Sequence, residues 1–306
     1  MKLYILGNGF DVAHGLKTSY RDFRRYLQNL HPFLLQELGK FYDIDEDAEL
    51  WKAFESAIGQ MDVEMIEEQF SEPNYGSDDF RDGDYEDNAI LVDNEVDFID
   101  ELKDAFGKWI ASIRSGVLTN KRFEFEFPAK FITFNYTHTL ELLYRIEPEN
   151  ILHIHGQVGQ KIIFGHAVDA YRWKMTKMYG VDYENIDSSE RPEIARDFAI
   201  EKGYDALGRK LDSLCKRPDS NIKNCFDFLS KLEGIERIVI LGATLTNGDD
   251  DYIRHLNNCL GASVQEWLVY YFIEEEKEEL KTIMINSGVD ERKLVMLPSK
   301  DLAGNI

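Results

Sequence analysis

Short apolar runs recur along the chain and predict the strands of a parallel sheet. Most are continuous rather than alternating, which is typical of strands covered on both faces. Several are followed by Gly or Asn and then by helical periodicity, the strand–loop–helix order of a doubly wound fold. The predicted strands lie at residues 3–6, 131–134, 151–154, 162–164, 238–241, 268–272 and 294–297. We therefore predict an α/β protein with a Rossmann-like, mostly parallel, doubly wound sheet.

Two long stretches, at about residues 20–116 and 168–234, interrupt this order with helical patterns. In the first, apolar residues recur at three- and four-residue spacing and form one helix face: Val96, Ile99, Leu102, Phe106, Trp109, Ile110 and Ile113. The second has a weaker pattern: Ile194, Phe198, Leu207, Leu211 and Leu214. We interpret both as helical insertions in a single α/β domain over residues 1–306, packed beside the sheet as a smaller lobe or lid.

Composition and charge exclude two broad classes. The 306 residues include 35 Lys and Arg against 57 Asp and Glu, a formal net charge of −22. Such a surface repels a phosphate backbone, which argues against general DNA or RNA binding. Apolar residues make up 43% of the chain, enough for a sizeable core, and this excludes a wholly disordered protein.

Cysteine usage and hydropathy favour a cytoplasmic protein. Cys215, Cys225 and Cys259 form no CxxC pair, so they predict neither a four-Cys zinc site nor a disulfide framework. The apolar start is too short for a signal peptide, and no stretch approaches the roughly 18 apolar residues of a membrane span.

The segment 71–94 carries eight acids against one Arg81 and predicts a mobile acidic loop. Its spacing lacks the regular acid positions and the terminal Glu of an EF-hand loop, which argues against calcium binding.

A glycine-containing loop, Gly7-Asn8-Gly9-Phe10-Asp11, directly follows the first predicted strand. Glycines here allow a sharp turn and a close approach to a bound phosphate. The loop is not the dinucleotide fingerprint of dehydrogenases, because Val12 occupies the third glycine position. A plain tight turn and a ligand-binding loop both fit this pattern.

Polar residues also end the second predicted strand, at Thr133 and Asn135. The Asn135 side chain has a donor and an acceptor at the edge where open sheets bind ligands. The alternative is that Asn135 or Thr137 caps the following helix.

Two histidines, His153 and His155, end the next strand, and residues two apart on a strand share a face. His155, beside Gly156, could act as a general base or orient a hydroxyl, or either imidazole could be a structural core histidine. A metal site would combine both with His166 and one acid of the run 249–251, but the spacing matches no metal signature.

A fourth loop, Gly242-Ala243-Thr244-Leu245, follows the strand at 238–241, and Thr244 could donate to a phosphate or ribose. We interpret the acids 249–251 as capping the next helix. Because the ends of parallel strands share one edge of the sheet, the four motifs can converge on one crevice.

The motifs together resemble the AbiH family of bacteriophage abortive-infection proteins. The resemblance rests on the blocks 6–11, 14–20 with Phe23, 133–137 with Leu140 and Glu141, 153–156 and 164–166. It implies antiphage defence through death or dormancy of the infected cell, with a phage component or a defence protein as partner and a homo-oligomer as an open possibility.

The chain is more distantly similar to sirtuin-like NAD-consuming domains. The matching positions are Gly7, Gly9, Thr133, Asn135, His155, Gly156, Gly242, Thr244 and Leu245. That similarity implies that His155 is catalytic, that Asn135 binds the nicotinamide ribose, and that Gly7, Asn8, Gly9 and Phe10 hold the pyrophosphate with the 242–245 loop. Asp11 would stabilise the oxocarbenium-like sugar.

The zinc-binding cysteine pairs of deacetylating sirtuins are missing, so NAD cleavage is expected rather than peptide deacetylation, and no metal is expected. Two other functions stay open: a non-catalytic nucleotide-binding sensor of infection, and a metal-dependent phosphoesterase or nuclease.

Overall fold

The computed structural model describes residues 1–114, 116, 118, 120–180 and 197–301. Six strands form one sheet in which all neighbouring strands are parallel. The strands are β1 (Lys2–Leu6), β2 (Ala129–Thr133), β3 (Ile151–His153), β4 (Arg237–Leu241), β5 (Glu266–Tyr271) and β6 (Leu294–Pro298). Their spatial order is β3-β2-β1-β4-β5-β6, so the winding reverses between β1 and β4. This order confirms the predicted Rossmann-like α/β fold.

Alternate residues of the central strands enter two separate apolar cores. In β1, Leu3 and Ile5 belong to one core, whereas Tyr4 and Leu6 belong to the other. Strand β4 divides its side chains in the same way. Because both faces of the sheet are covered, every position of these strands after the first, Lys2 in β1 and Arg237 in β4, is apolar, and the sequence shows a continuous run.

The prediction of a strand at residues 162–164 is wrong. Ile163 makes one backbone bond, from its amide to the His155 carbonyl at 2.8 Å, and its own carbonyl accepts from the Tyr136 hydroxyl at 3.0 Å. The segment follows left-handed turns at Gly156 and Gly159. A short apolar run predicts burial but does not by itself provide a strand partner.

The helices have the following bounds: α1 (Asn8–Ala13), α2 (Tyr20–Leu30), α3 (Pro32–Leu38), α4 (Phe54–Ala57), α5 (Glu64–Glu67), α6 (Asp87–Glu95), α7 (Phe98–Ser112), α8 (Thr139–Leu142), α9 (Ala170–Tyr179), α10 (Phe198–Asp212), α11 (Pro218–Asn224), α12 (Phe226–Leu229), α13 (Asp250–Leu260) and α14 (Glu274–Asn286). Short 3₁₀ turns occupy Glu49–Trp51, Asp82–Glu86, Pro148–Asn150, Glu291–Lys293 and Ser299–Asp301. Among the helices that the described residues form, none has the length and hydropathy needed to cross a membrane.

The helical periodicity identified the principal helices of the two insertions. Helix α7 buries its predicted apolar face: Ile99, Leu102, Phe106, Trp109 and Ile110. In the second insertion Leu207, Leu211 and Leu214 are buried as expected, whereas Phe198 is exposed. Ile194 lies outside the described residues.

The chain divides into two compact units. The first comprises Met1–Phe23, Phe106–Ile163 and the chain from Arg217, and it contains the whole sheet. The second comprises Arg24–Ala105 and Phe164–Lys216 and is helical. Residues 217–234, predicted as part of the second insertion, therefore belong to the first unit, where Phe228 and Leu229 pack against a core of the sheet. The expectation of a single domain stays a prediction.

The acidic segment 71–94 is largely helical in its second half, so the prediction of a loop throughout is wrong. Helix α6 buries Ala89 and Val92. The buried Asn88 side chain accepts from the Ser71 amide at 3.0 Å and donates to the Ser71 carbonyl at 2.9 Å. These few apolar residues are spaced to form one buried helix face, which the density of acids masks in the sequence.

Candidate functional site

The loops after β1, β2 and β4 leave the sheet at one level. Leu6 pairs with Thr133 on one side and with Leu241 on the other, so the three strands end flush. Their carboxyl ends flank the place where the strand order reverses, and open α/β sheets bind ligands at such a point.

Glycines allow the β1 and β4 loops to lie against each other. A Cβ on Gly7 would come within 2.4 Å of the Ala243 Cα, and one on Gly242 within 2.5 Å of the Phe10 amide nitrogen. Gly242 also has a φ of 65°, a conformation that side chains disfavour. The two glycine loops predicted from the sequence therefore meet backbone to backbone.

Backbone contacts occupy most of the amides that were predicted to bind a pyrophosphate. The Gly7 amide donates to the Leu241 carbonyl and the Gly9 amide to the Gly242 carbonyl, both at 2.9 Å. The Phe10 amide donates to the Gly7 carbonyl at 3.0 Å. Asn8 is exposed, and its amide has no acceptor among the described residues. Of these four amides, the one at Asn8 is open to a ligand.

Asn135 joins the β1 and β2 loops. Its side-chain amide donates to the Gly7 carbonyl at 3.0 Å, and its backbone amide donates to the Thr133 hydroxyl at 3.0 Å. Its carbonyl lies 3.0 Å from Nδ1 of His153. Asn135 is buried and holds three segments together.

The alternative role of Asn135 or Thr137 as a helix cap is wrong. Helix α8 begins at Thr139, His138 precedes it, and no side chain caps it. Thr137 instead hydrogen-bonds to Asp11.

Asp11 lies in a buried cluster with Thr137 and Thr139. The Thr137 hydroxyl is 2.5 Å from Oδ2 of Asp11, the Thr139 hydroxyl is 2.8 Å from Oδ1, and the two hydroxyls are 3.0 Å apart. When Asp11 is protonated, each of the three groups donates one hydrogen bond and accepts one around a closed ring. When it is ionised, both hydroxyl protons are used on the carboxylate, and the contact between the two threonines loses its proton.

Burial of the carboxyl raises the pKa of Asp11 to about 6. The hydrogen bonds from Thr137 and Thr139 and the charge of His153 oppose this rise, whereas the charge of Glu141 adds to it. Near neutral pH, Asp11 therefore changes its protonation state inside the cluster.

His155 combines burial with an unsatisfied ring nitrogen. Its side chain is 2% exposed, and Nε2 is buried without a hydrogen-bond partner. The ring lies among aromatic rings, with centroids 5.2 Å from Phe134 and 5.8 Å from Tyr252. Two other buried histidines differ, because both ring nitrogens of His14 and of His166 have hydrogen-bond partners. A buried polar atom without a partner is costly and calls for an explanation.

From the sequence, Asp249 was expected to cap the next helix or to be one of three alternative acids in a metal site, and its pairing with His155 alone was not predicted. Its Oδ1 lies 3.3 Å from Nε2 of His155, a charge contact that lacks the angles of a hydrogen bond. Asp249 does precede α13, yet its side chain does not cap that helix. Asp250 and Asp251 occupy the first helical turn, as predicted, and both pair with Arg254.

The remaining predicted ligand residues occupy the adjoining turns. Thr244 is exposed, and its hydroxyl lies 3.3 Å from that of Thr246. Leu245 is buried with a φ of 58°. Gly156 has a φ of 80°, and a Cβ there would come within 2.0 Å of the Lys161 carbonyl oxygen. Gly156 thus shapes the turn that follows His155.

The metal site considered from the sequence is not assembled. His166 belongs to the second unit, where its nitrogens contact the Leu211 carbonyl and the Val168 amide. Nor do His153 and His155 share contacts, because Nε2 of His153 lies 2.9 Å from Glu141 rather than near Asp249. Burial raises the pKa of Glu141, but the hydrogen bond and charge of His153 and the charge of His138 outweigh it and hold the pKa below its usual range.

The family-model comparison gives an identification. The model described as "Bacteriophage abortive infection AbiH" matches residues 3–271, most of the chain, and confirms the resemblance that the motifs indicated. No curated protein and no solved structure matches.

Proposed function

The chain belongs to the AbiH family of bacteriophage abortive-infection proteins, which implies a role in abortive infection, and from this premise we propose that it binds NAD or a related nucleotide and cleaves its nicotinamide–ribose bond. The strand order supports a nucleotide as ligand. A parallel sheet in the order 3-2-1-4-5-6 has its ligand crevice where the winding reverses, which here lies between β1 and β4.

The observation that carries the proposal is the unpartnered Nε2 of His155 beside Asp249. A neutral imidazole with a free lone pair can accept a proton, and a nearby carboxylate stabilises the imidazolium that results. The pair lies in the turn after β3 and in the loop before α13, at the carboxyl edge of the sheet.

In the proposed reaction the bond between ribose C1′ and the nicotinamide nitrogen breaks. Its electron pair neutralises the pyridinium ring, and the sugar becomes oxocarbenium-like. Water attacks C1′ and loses its proton to Nε2 of His155. The products are nicotinamide and the ADP-ribosyl hemiacetal, and the proton then leaves to solvent.

The other predicted catalytic residues take different roles in this proposal. Both oxygens of Asp11 face Thr137 and Thr139, so Asp249 rather than Asp11 supplies the charge beside the sugar. Asn135 acts as a positioning residue through Gly7 and offers its side-chain oxygen to the ribose. Thr244 and the Asn8 amide are the exposed donors for the rest of the nucleotide.

The test measures nicotinamide release from NAD by the purified protein with chromatography. We expect His155→Ala to lower the rate by about 10²–10⁴-fold, and Asp249→Asn to lower it by a smaller factor. His255→Ala, on α13, is the matched control and should leave the rate unchanged.

Turnover of His155→Ala at the wild-type rate would overturn the catalytic assignment. NAD binding without nicotinamide release in the wild-type protein would favour the alternative of a non-catalytic nucleotide sensor. Absence of both binding and release would remove NAD from the proposal.

A further inference from the structure

Three potential metal ligands converge beside β3, outside the His155 pair. They are His138 and Glu141, at the start of α8, and His153, at the end of β3. One donor atom from each residue lies within 4.8 Å of the other two. Nε2 of His153 is 2.9 Å from Oε1 of Glu141, and Nδ1 of His138 is 3.5 Å from the same oxygen.

The outer hydrogen bonds orient both imidazoles for coordination. Nδ1 of His153 lies 3.0 Å from the Asn135 carbonyl, and Nε2 of His138 lies 3.3 Å from the Val158 carbonyl. A carbonyl only accepts, so each of these nitrogens carries the proton. In both residues the opposite nitrogen faces Glu141, and a metal ion that displaces any proton there would bind its lone pair. Metal-binding histidines commonly have this arrangement, with the far N–H donated to a carbonyl.

Glu141 adds an unsatisfied atom. Its Oε2 is buried without a hydrogen-bond partner, although Oε1 contacts both histidines. A buried carboxylate oxygen without a donor is costly. A cation bound to the carboxylate would remove that cost.

We propose that His138, Glu141 and His153 bind one divalent transition-metal ion, with Zn²⁺ as the representative ion and water completing the coordination. Two imidazoles and one carboxylate are a donor set that suits zinc and related metals. Zn–N and Zn–O distances of about 2.0–2.2 Å place tetrahedral ligands about 3.3 Å apart. The Glu141 oxygen is 2.9 Å and 3.5 Å from the two histidine nitrogens, and all three atoms lie within 4.8 Å of one another, close to the spacing that such a site needs.

The competing interpretation is a buried ion pair between a protonated His153 and Glu141. That pair would satisfy His153, but it gives no role to the lone pair of His138 and leaves Oε2 of Glu141 without a partner. A metal accounts for all three side chains. Bound there, it would link β3 to α8 and, through His153, fix the carbonyl of Asn135.

The experiment titrates the full-length protein with Zn²⁺ alone, after removal of metal with a chelator, by calorimetry and elemental analysis. The parent chain carries Cys259→Ser, because Sγ of Cys259 lies 3.6 Å from Nε2 of His255 and this exposed pair could itself bind zinc. The variants are His138→Gln and Glu141→Gln. His31→Gln is the matched control, because His31 also faces a glutamate, Glu101, at 3.5 Å, in a pair outside the cluster.

We expect one Zn²⁺ to bind each parent chain. In each cluster variant the zinc affinity should fall by about 100-fold or more, whereas His31→Gln should bind zinc like the parent. Less than one ion per parent chain, or parent-like binding by His138→Gln, would overturn the proposal. His138 is a third exposed, so its variant tests the site even where circular dichroism shows Glu141→Gln to be unfolded. These outcomes do not depend on nicotinamide release, so this proposal and the proposed function can fail separately.

Discussion

Asp11 and His155 are both buried at the carboxyl edge of the sheet, yet they differ in whether their polar atoms have hydrogen-bond partners among the described residues. The two oxygens of Asp11 each have a threonine hydroxyl, and protonation closes the ring of hydrogen bonds. His155 has a buried nitrogen without a partner and a carboxylate 3.3 Å away. The first arrangement stabilises the fold at that edge, whereas the second costs stability. Burial of a titratable group therefore does not by itself identify a site, and what distinguishes His155 is an unsatisfied nitrogen with a carboxylate beside it.

The largest expected effect on stability comes from removing Asp11, whose two oxygens both have hydrogen-bond partners. Asp11→Ala leaves two buried hydroxyls without their acceptor, and we expect the free energy of unfolding to fall by about 3 kcal/mol at pH 5. Chemical denaturation measures it. Asp11→Asn is the matched control, because its amide donates to Thr137 and accepts from Thr139, so most of the stability should be retained. Equal loss in both variants would contradict the hydrogen-bond ring.

The second expected effect is a dependence of stability on pH that arises from Asp11. The pKa of Asp11 is about 6 in the folded protein against 3.8 for the ordinary side chain, so the folded state binds the proton more tightly. The resulting stabilisation is fully present below pH 3.8 and is lost as the pH rises through about 6. Between pH 4 and 7 the wild-type protein should lose about 2 kcal/mol relative to Asp11→Asn.

Unfolding curves of the two proteins across that pH range provide the measurement, and the difference cancels groups that titrate alike in both. A constant difference would mean that Asp11 stays ionised and that the ring does not close. His153 and Glu141 also act on the charge of Asp11, so His153→Gln should shift the midpoint upward, since it removes a charge that lowers the pKa.

The smallest expected effect is a gain rather than a loss of stability. His155→Leu replaces the unpartnered imidazole with an apolar side chain of similar volume among aromatic rings, and we expect a gain of about 1 kcal/mol in the free energy of unfolding. Thermal denaturation with and without NAD separates stability from binding. A clear loss of stability would show that Nε2 of His155 is satisfied in solution and would place His155 with Asp11 as a structural residue.

The fold was predictable because the pattern of apolar positions in each segment indicates a strand or a helix directly. Strands covered on both faces have continuous apolar runs, and α7 presents one apolar face. The strand predicted at 162–164 failed because an apolar run does not say whether a neighbouring strand is available. Helix α6 was missed because Ala89 and Val92 supply its buried face among many acids.

The candidate site was only partly predictable. Gly7, Asn135 and Gly242 could be placed together because each follows a strand of one parallel sheet. From the sequence, Asp249 was one of three alternative acids beside His155, and Glu141 was not matched with His153. Each pair is formed by separate loops whose distance is set by packing. The capping interpretation of Asn135 failed for a related reason, since α8 begins three residues later than that role requires.

The order in which the sheet is completed has a consequence for synthesis. Strand β1 pairs with β2, which begins at residue 129, and with β4, which begins at residue 237. During synthesis one edge of β1 therefore stays unpaired until β4 has been made, while most of the chain is translated. Such non-local pairing slows folding and exposes a nascent chain to aggregation. Production of this protein should accordingly benefit from slow expression and from chaperones that hold the amino-terminal segment.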